Sequence, residues 1–290
     1  MGVLLGAPRR PVEAFRPAPD PRRVLEGHCQ GHRVSARAPL VRRATVEGLG
    51  TAALVTVVVG SGIQATELTR DIGVQLLANS LATVFGLGVL IALLASVSGA
   101  HFNPAVTLAA WFTGRRTGDS PTLRDVAAYV PAQVAGAIAG AVAADAMFGK
   151  PLVHFSTHDR SAGHLWSAEV VATAGLVWLI FGLARAGRAH LAPVLVASYI
   201  GAAYWFTSST SFANPAVTIG RAFTDTFAGI APASVLPFLA AQLIGAAVGL
   251  GLTAVCFGRP AAVDEDEVLV PHGGQQDAAP ARLAEEGALP

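Results

Sequence analysis

The sequence predicts an all-α membrane protein with six transmembrane helices and two re-entrant half helices, laid out as an inverted three-helix repeat. Three observations predict it. Of the 290 residues, 52% are hydrophobic and only 13% charged, against roughly 25% charged in a soluble domain. Charge-free runs cover 48–66, 72–114, 126–144, 170–184, 189–220 and 226–258. Landmarks of the first half recur in the same order in the second. An ordinary cytosolic enzyme is excluded, and a net charge of +1 gives no pull towards nucleic acid. Cys29 and Cys256 lie in unlike contexts, one polar and one apolar, which argues against a disulfide framework or a cysteine metal site.

A spanning helix needs about 20 mostly apolar residues. Four runs supply one span each, with 226–258 adding a preceding loop. The runs 72–114 and 189–220 are too long for one span and too short for two. Each reads as a full helix followed by a half helix. Residues 1–43 hold nine Arg and three acids among prolines, and no apolar h-region follows the charges as a secretory signal would require. They read as a disordered basic arm. Residues 259–290, with seven acids and two Arg, read as a disordered acidic tail. Between them stands one channel-like domain, 44–258, with repeats at 44–147 and 166–258. Basic residues cluster in the N-terminal arm, in 114–124 (Arg115, Arg116, Arg124) and in 185–190 (Arg185, Arg188). With six spans these fall on one side, which places both termini in the cytoplasm by the positive-inside rule and the chain in the cell (inner) membrane.

The repeat is the most informative feature. Glu47 and Thr51 match Glu169 and Thr173 at an offset of 122, and Asn103-Pro104-Ala105-Val106-Thr107 matches Asn214-Pro215-Ala216-Val217-Thr218 at 111. Gln133, Gly136 and Gly140 match Gln242, Gly245 and Gly249 at 109. Three spans per half invert the second copy across the membrane, an architecture that puts a site at the midplane.

Each Asn-Pro-Ala stands where a helix begins. Asn is a preferred N-cap, and Pro suits the first helical position because its missing N–H has no partner there. Eleven residues from Asn103 to Thr113 rise about 16 Å, half of the hydrocarbon core. The helices therefore start near the midplane, where non-helical backbone survives only against protein or a water-filled path. The loops Ser96–Phe102 and Ser208–Ala213 should offer carbonyls to that path. Two helix N-termini, each worth about half a positive charge, meet there and repel cations. With the Asn carbonyls capping their helices, both NH2 groups are expected to donate to passing solutes. Such a site favours neutral hydroxylated solutes over ions.

The string Ser98-Gly99-Ala100-His101-Phe102-Asn103-Pro104-Ala105-Val106-Thr107 and the second Asn-Pro-Ala resemble the aquaporin (major intrinsic protein) family. The resemblance covers about 44–258, with Glu47 and Glu169 also matching. It implies a right-handed bundle of six spanning and two half helices with one pore per subunit of a homotetramer. Family members normally carry Arg after the second Asn-Pro-Ala, at the outer constriction. Here that residue is Val217, and Arg221 lies one turn further, which argues against a simple replacement. Counting without gaps from the Asn residues puts the other constriction positions at Thr83, Ala202 and Ser211, with a two-residue shift near Phe85 as the alternative for the first. Small residues there imply a wide, weakly polar mouth. Val at this position resembles bacterial aquaporins associated with arsenic resistance, which suggests arsenite or methylated arsenicals as cargo, beside glycerol, other polyols and water.

Glu47 and Glu169 sit inside apolar runs, where a carboxylate is costly and marks a functional or structural position. The structural expectation is that they accept hydrogen bonds from the re-entrant loops; the alternative is proton coupling. His101, Gln133 and Gln242 are expected to support the same loops. Gly136/Gly140 and Gly245/Gly249 form small-xxx-small pairs for close helix contact. His154 and His158 have i,i+4 spacing, yet a solvated loop is the simpler reading, and no metal site or cofactor is assigned. The expected function is a passive pore rather than an enzyme, its partners being small neutral solutes, water and lipid. The rivals are a mainly water-conducting pore, a coupled secondary transporter, which would need a titratable group at the site, and a non-conducting structural membrane protein.

Overall fold

The computed structural model describes residues 38–115 and 121–258. The basic arm before residue 38, Cys29, Arg116, Asp119 and the acidic tail 259–290 lie outside the described residues. Among the described residues eight α-helices follow in order: α1 Leu40–Leu68, α2 Ile72–Ser98, α3 Pro104–Gly114, α4 Leu123–Met147, α5 Gly163–Arg185, α6 Ala192–Phe206, α7 Pro215–Arg221 and α8 Pro232–Phe257. A 3-10 turn, Ala189–Leu191, precedes α6. Six of them are long and apolar enough to cross a membrane, α6 together with that turn. The helices α3 and α7, of 11 and 7 residues, are the half helices.

Helix boundaries follow local chemistry. The Asp71 side chain caps α2 by accepting from the Val74 N–H, and Thr122 with Asp125 forms a capping box on α4. The Asp125 carboxylate also receives Arg43 at 2.7 Å. That ion pair draws the chain into helix before the apolar run begins. The first helix therefore starts at Leu40, and residues 40–43 belong to α1 rather than to the arm 1–43. Gly99, at φ 94°, ends α2 in the left-handed conformation that glycine adopts without steric cost.

The two repeats pack alike. Helix α1 lies along α4, and α5 along α8. A Cβ on Gly136 or Gly140 would strike the carbonyls of Gly48 and Ala52; one on Gly245 or Gly249 would come within 2.6 and 2.5 Å of those of Val170 and Ala174. The struck carbonyls are themselves related by the 122-residue offset. The glycine pairs thus serve contact inside the chain. On the outer surface of α2, Phe85, Val89 and Leu93 are 68, 64 and 66% exposed, an apolar face suited to lipid.

Outside the spans, segment 150–162 runs extended along the loop 222–231. The backbone N–H groups of His154 and Ser156 donate to the Phe223 and Ala222 carbonyls at 3.1 Å each, and Ala231 N–H to His158 O at 2.7 Å. The Asp225 carboxylate accepts from Thr157 N–H at 2.8 Å and from its hydroxyl at 3.1 Å. Because this segment is not helical, the i,i+4 spacing of His154 and His158 does not gather their rings.

Replacing Gly136 by Ala should cost about 1–3 kcal/mol, since a backbone carbonyl cannot rotate aside. The same change at Gly251, where a Cβ meets nothing within 4 Å, should stay within about 0.5 kcal/mol. Thermal unfolding in detergent compares them, and equal melting of the two variants would refute the contact. At the loop, the bond from the Thr157 N–H holds the Asp225 carboxyl below the usual carboxylate range. A carboxyl whose pKa is depressed on folding stabilises at neutral pH and loses that contribution as pH falls through its folded value. Proteolytic nicking of 150–162 should therefore be flat above about pH 5 and rise below about pH 4. Asp225→Asn should nick faster and without that rise.

Candidate pore

Both re-entrant loops use backbone that ordinary residues avoid. Ala100 and Phe102 in the first, and Thr210, Ser211 and Ala213 in the second, have φ between 47° and 62°. Each such L-residue costs roughly 1–2 kcal/mol. The loops are held by the two intramembrane glutamates, both fully buried. Glu47 accepts from Ser98 Oγ at 2.6 Å, His101 N–H at 3.0 Å, Phe102 N–H at 2.7 Å and Gln133 Nε2 at 2.8 Å. Glu169 accepts from Phe212 N–H at 2.9 Å, Ala213 N–H at 2.8 Å and Gln242 Nε2 at 2.7 Å. In this geometry each carboxylate is an acceptor for its own loop. Gln133 and Gln242 extend each network to Thr107 and Thr218, at 3.0 and 2.9 Å.

Thr107 Oγ1 donates to the Asn103 carbonyl, so toward His101 Nδ1 at 3.1 Å it can only accept. The His101 ring also meets Tyr129 edge-on at 5.8 Å, and the Tyr129 hydroxyl donates to Ser98 O at 2.9 Å. The repeat-related pair in the second half is Phe212 against Phe238, at 5.3 Å.

The half-helix tips meet. Asn103 Oδ1 caps α3 by accepting from Ala105 N–H at 2.9 Å, and Asn214 Oδ1 caps α7 from Ala216 and Val217 at 3.0 and 3.2 Å. Pro104 and Pro215 take the first helical positions. The amide nitrogens reach across: Asn103 Nδ2 donates to Ala213 O at 2.8 Å, and Asn214 Nδ2 to Phe102 O at 2.7 Å. The expectation of two free NH2 groups is thus corrected. Each amide commits one hydrogen to the opposite loop and keeps one for the path.

A cavity of about 230 Å³ borders both Asn side chains. Its wall is a set of helical stripes: Leu54 and Val58 on α1, Leu176 and Ile180 on α5, and Thr83, Leu87 and Ile91 on α2. Val196, Ile200 and Tyr204 continue it on α6. Of the sequence-predicted constriction residues, Thr83, Ser211 and Val217 border this cavity, and Phe85 faces outwards. Ala202 does not border it; it is exposed. At 100° per residue, a position two removed from both Ile200 and Tyr204 points away from them. The two-residue shift falls on α6, and Tyr204 stands in the cavity where Ala202 was expected. The wide, weakly polar mouth is narrowed accordingly. Tyr204 is 4% exposed and its hydroxyl lies 3.1 Å from Thr83 Oγ1. Since Thr83 donates to Asn79 O, Tyr204 donates to Thr83.

Arg221, discounted from its sequence position, also borders the cavity. The signal for it was in the spacing: Asn214, Val217 and Arg221 at i, i+3 and i+7 share one helix face. Nothing in the sequence marked Tyr204, because its placement depends on how the turn after Phe206 is drawn.

Glu169→Gln keeps one acceptor oxygen but sets an NH2 against loop N–H groups, and each buried unmet donor costs about 1–3 kcal/mol. The variant should melt well below wild type in detergent. Coincident melting curves would rule out the glutamate as the loop's anchor.

The comparisons with known proteins agree with this geometry. The family model for the major intrinsic proteins matches residues 35–211. The aquaglyceroporin AqpS of Rhizobium meliloti is 50% identical over 213 residues, covering 73% of this chain and 89% of that protein. The glycerol uptake facilitator protein of Pseudomonas aeruginosa is 30% identical, over 71% of this chain and 85% of its own length. The X-ray structure of the aquaglyceroporin from Plasmodium falciparum superposes with a TM-score of 0.56 at 21% identity, over 75% of this chain and 98% of that one. Six apolar spans, two half helices joined tip to tip and these likenesses give one conclusion: the chain belongs to the major intrinsic protein (aquaporin) family, whose members are membrane channels and not enzymes.

Proposed function

We propose that the protein is a passive channel for small neutral hydroxylated solutes, glycerol and water among them, working as a homotetramer in the cell (inner) membrane with both termini cytoplasmic. The observation that carries this reading is a cavity bordered by both Asn residues. Among the described residues that border it there is no Asp or Glu. A cation-coupled transporter would need a carboxylate there, and the two glutamates are instead committed to the re-entrant loops. The relatives named as an aquaglyceroporin and a glycerol uptake facilitator support the class of cargo.

The path suits such cargo. Each Asn amide keeps one donor for a hydroxyl oxygen, while Leu, Val and Ile side chains face the solute's carbon skeleton. Amides that donate hold a water oxygen inward, which interrupts a proton wire, and two helix N-termini oppose cations. Arsenite, a neutral trihydroxide, offers the same hydrogen-bonding surface as glycerol. Val217 in place of the family's usual Arg favours passage of such larger solutes. Asn103 and Asn214 orient the solute, and Thr83, Tyr204, Ser211 and Val217 set its size.

Stopped-flow light scattering on proteoliposomes under water, glycerol and arsenite gradients tests the reading. Wild type should exceed empty vesicles for all three, and a sealed wild type would favour a structural protein. Val217→Arg should cut glycerol and arsenite flux about tenfold while sparing most of the water flux. Equal losses for all three solutes would contradict the size role of Val217.

A further inference from the structure

The pore face of each half helix is written by the same spacing. Asn103, Val106 and Ala110 in α3 correspond at the 111-residue offset to Asn214, Val217 and Arg221 in α7, and all six border the cavity. The one large chemical difference between the two faces is Ala110 against Arg221. Arg221 is only 4% exposed and fixed in place. Its Nε donates to the Ala228 carbonyl, and its guanidinium lies 3.5 Å from the centroid of the Phe212 ring. The Ala228 loop is in turn clasped by Thr157 on Asp225 and by Arg160 Nε on the Gly229 carbonyl at 3.2 Å. Among the described residues no carboxylate pairs with Arg221, and its two terminal nitrogens donate to no protein acceptor. The neighbouring Ser211 hydroxyl, also on the cavity, is buried without a partner.

A held, unpaired cation with unspent donors on the wall of a path is a selectivity element. We propose that this channel divides between two residues what one arginine does elsewhere in the family. Val217 bears on solute size, and Arg221, one helical turn or about 6 Å further along α7, bars cations and donates to passing hydroxyls. The half-helix dipoles then share the cation barrier with Arg221. A charge check set apart from the size check explains how a valine can widen the filter without opening the membrane to protons. The proposal rests on the cavity being a conducting path, which glycerol swelling of the same vesicles reads separately.

The test is the proton and sodium leak of proteoliposomes under a potassium diffusion potential, followed with an entrapped pH dye or sodium indicator. Wild type should leak no more than empty vesicles despite Val217. Arg221→Gln should raise the leak per channel about tenfold or more, and Arg221→Lys should stay within about twofold of wild type. Val217→Ala should alter the ratio of polyol to water swelling and leave the leak at the wild-type level. A wild type that leaks cations overturns the proposal, whether or not the glutamine variant folds. So does an Arg221→Gln channel that swells in glycerol yet leaks no more than wild type, or a Val217→Ala leak equal to that of Arg221→Gln. Absence of any glycerol swelling in wild type would instead strike the channel reading itself.

Discussion

Everything in this fold depends on making irregular backbone tolerable at the middle of a bilayer. Two short loops turn there through left-handed residues, with N–H groups that no helix can use. Their support is a carboxylate in each half. Two left-handed residues cost roughly 2–4 kcal/mol, while the four bonds that Glu47 accepts, at about 1.5–3 kcal/mol each for a charged acceptor, outweigh that. The several kcal/mol of burying the carboxylate absorbs much of the surplus. What the glutamates chiefly contribute is therefore geometry: they fix where the half helices begin and which way the loop carbonyls face.

Much of this was legible in the sequence because the constraint is local and repeated. The Asn-Pro-Ala strings are N-cap signals, the over-long apolar runs betray half helices, and the glycine pairs recur at one offset. The start of α1 was not legible, since Arg43 reads as part of a basic arm until Asp125, 82 residues away, is seen to receive it. The α6 wall residue was missed for a different reason. Counting back from Asn214 assumes a loop of fixed length, and a two-residue error rotates a helix by about 200°, which exchanges an outward Ala202 for an inward Tyr204. Arg221 was discounted by measuring distance along the chain, where the helical repeat was the better ruler.

The twofold backbone is not matched by twofold chemistry. At repeat-related positions the first loop has His101 against Tyr129 and the second has Phe212 against Phe238. Polar rings tie the first loop into hydrogen bonds with Thr107 and Ser98. The aromatic pair of the second instead provides a face on which Arg160 and Arg221 lie, at 5.0 and 3.5 Å. The frame repeats, and a few side chains make its two ends unlike.

The reciprocal amide bonds at the centre have a mechanical meaning. Each asparagine grips the opposite loop, so the halves are riveted together at the very point about which alternating-access carriers rock. Any such rocking would have to shear both rivets at once. The stiff part of this molecule is its waist, which leaves any opening or shutting to the rims.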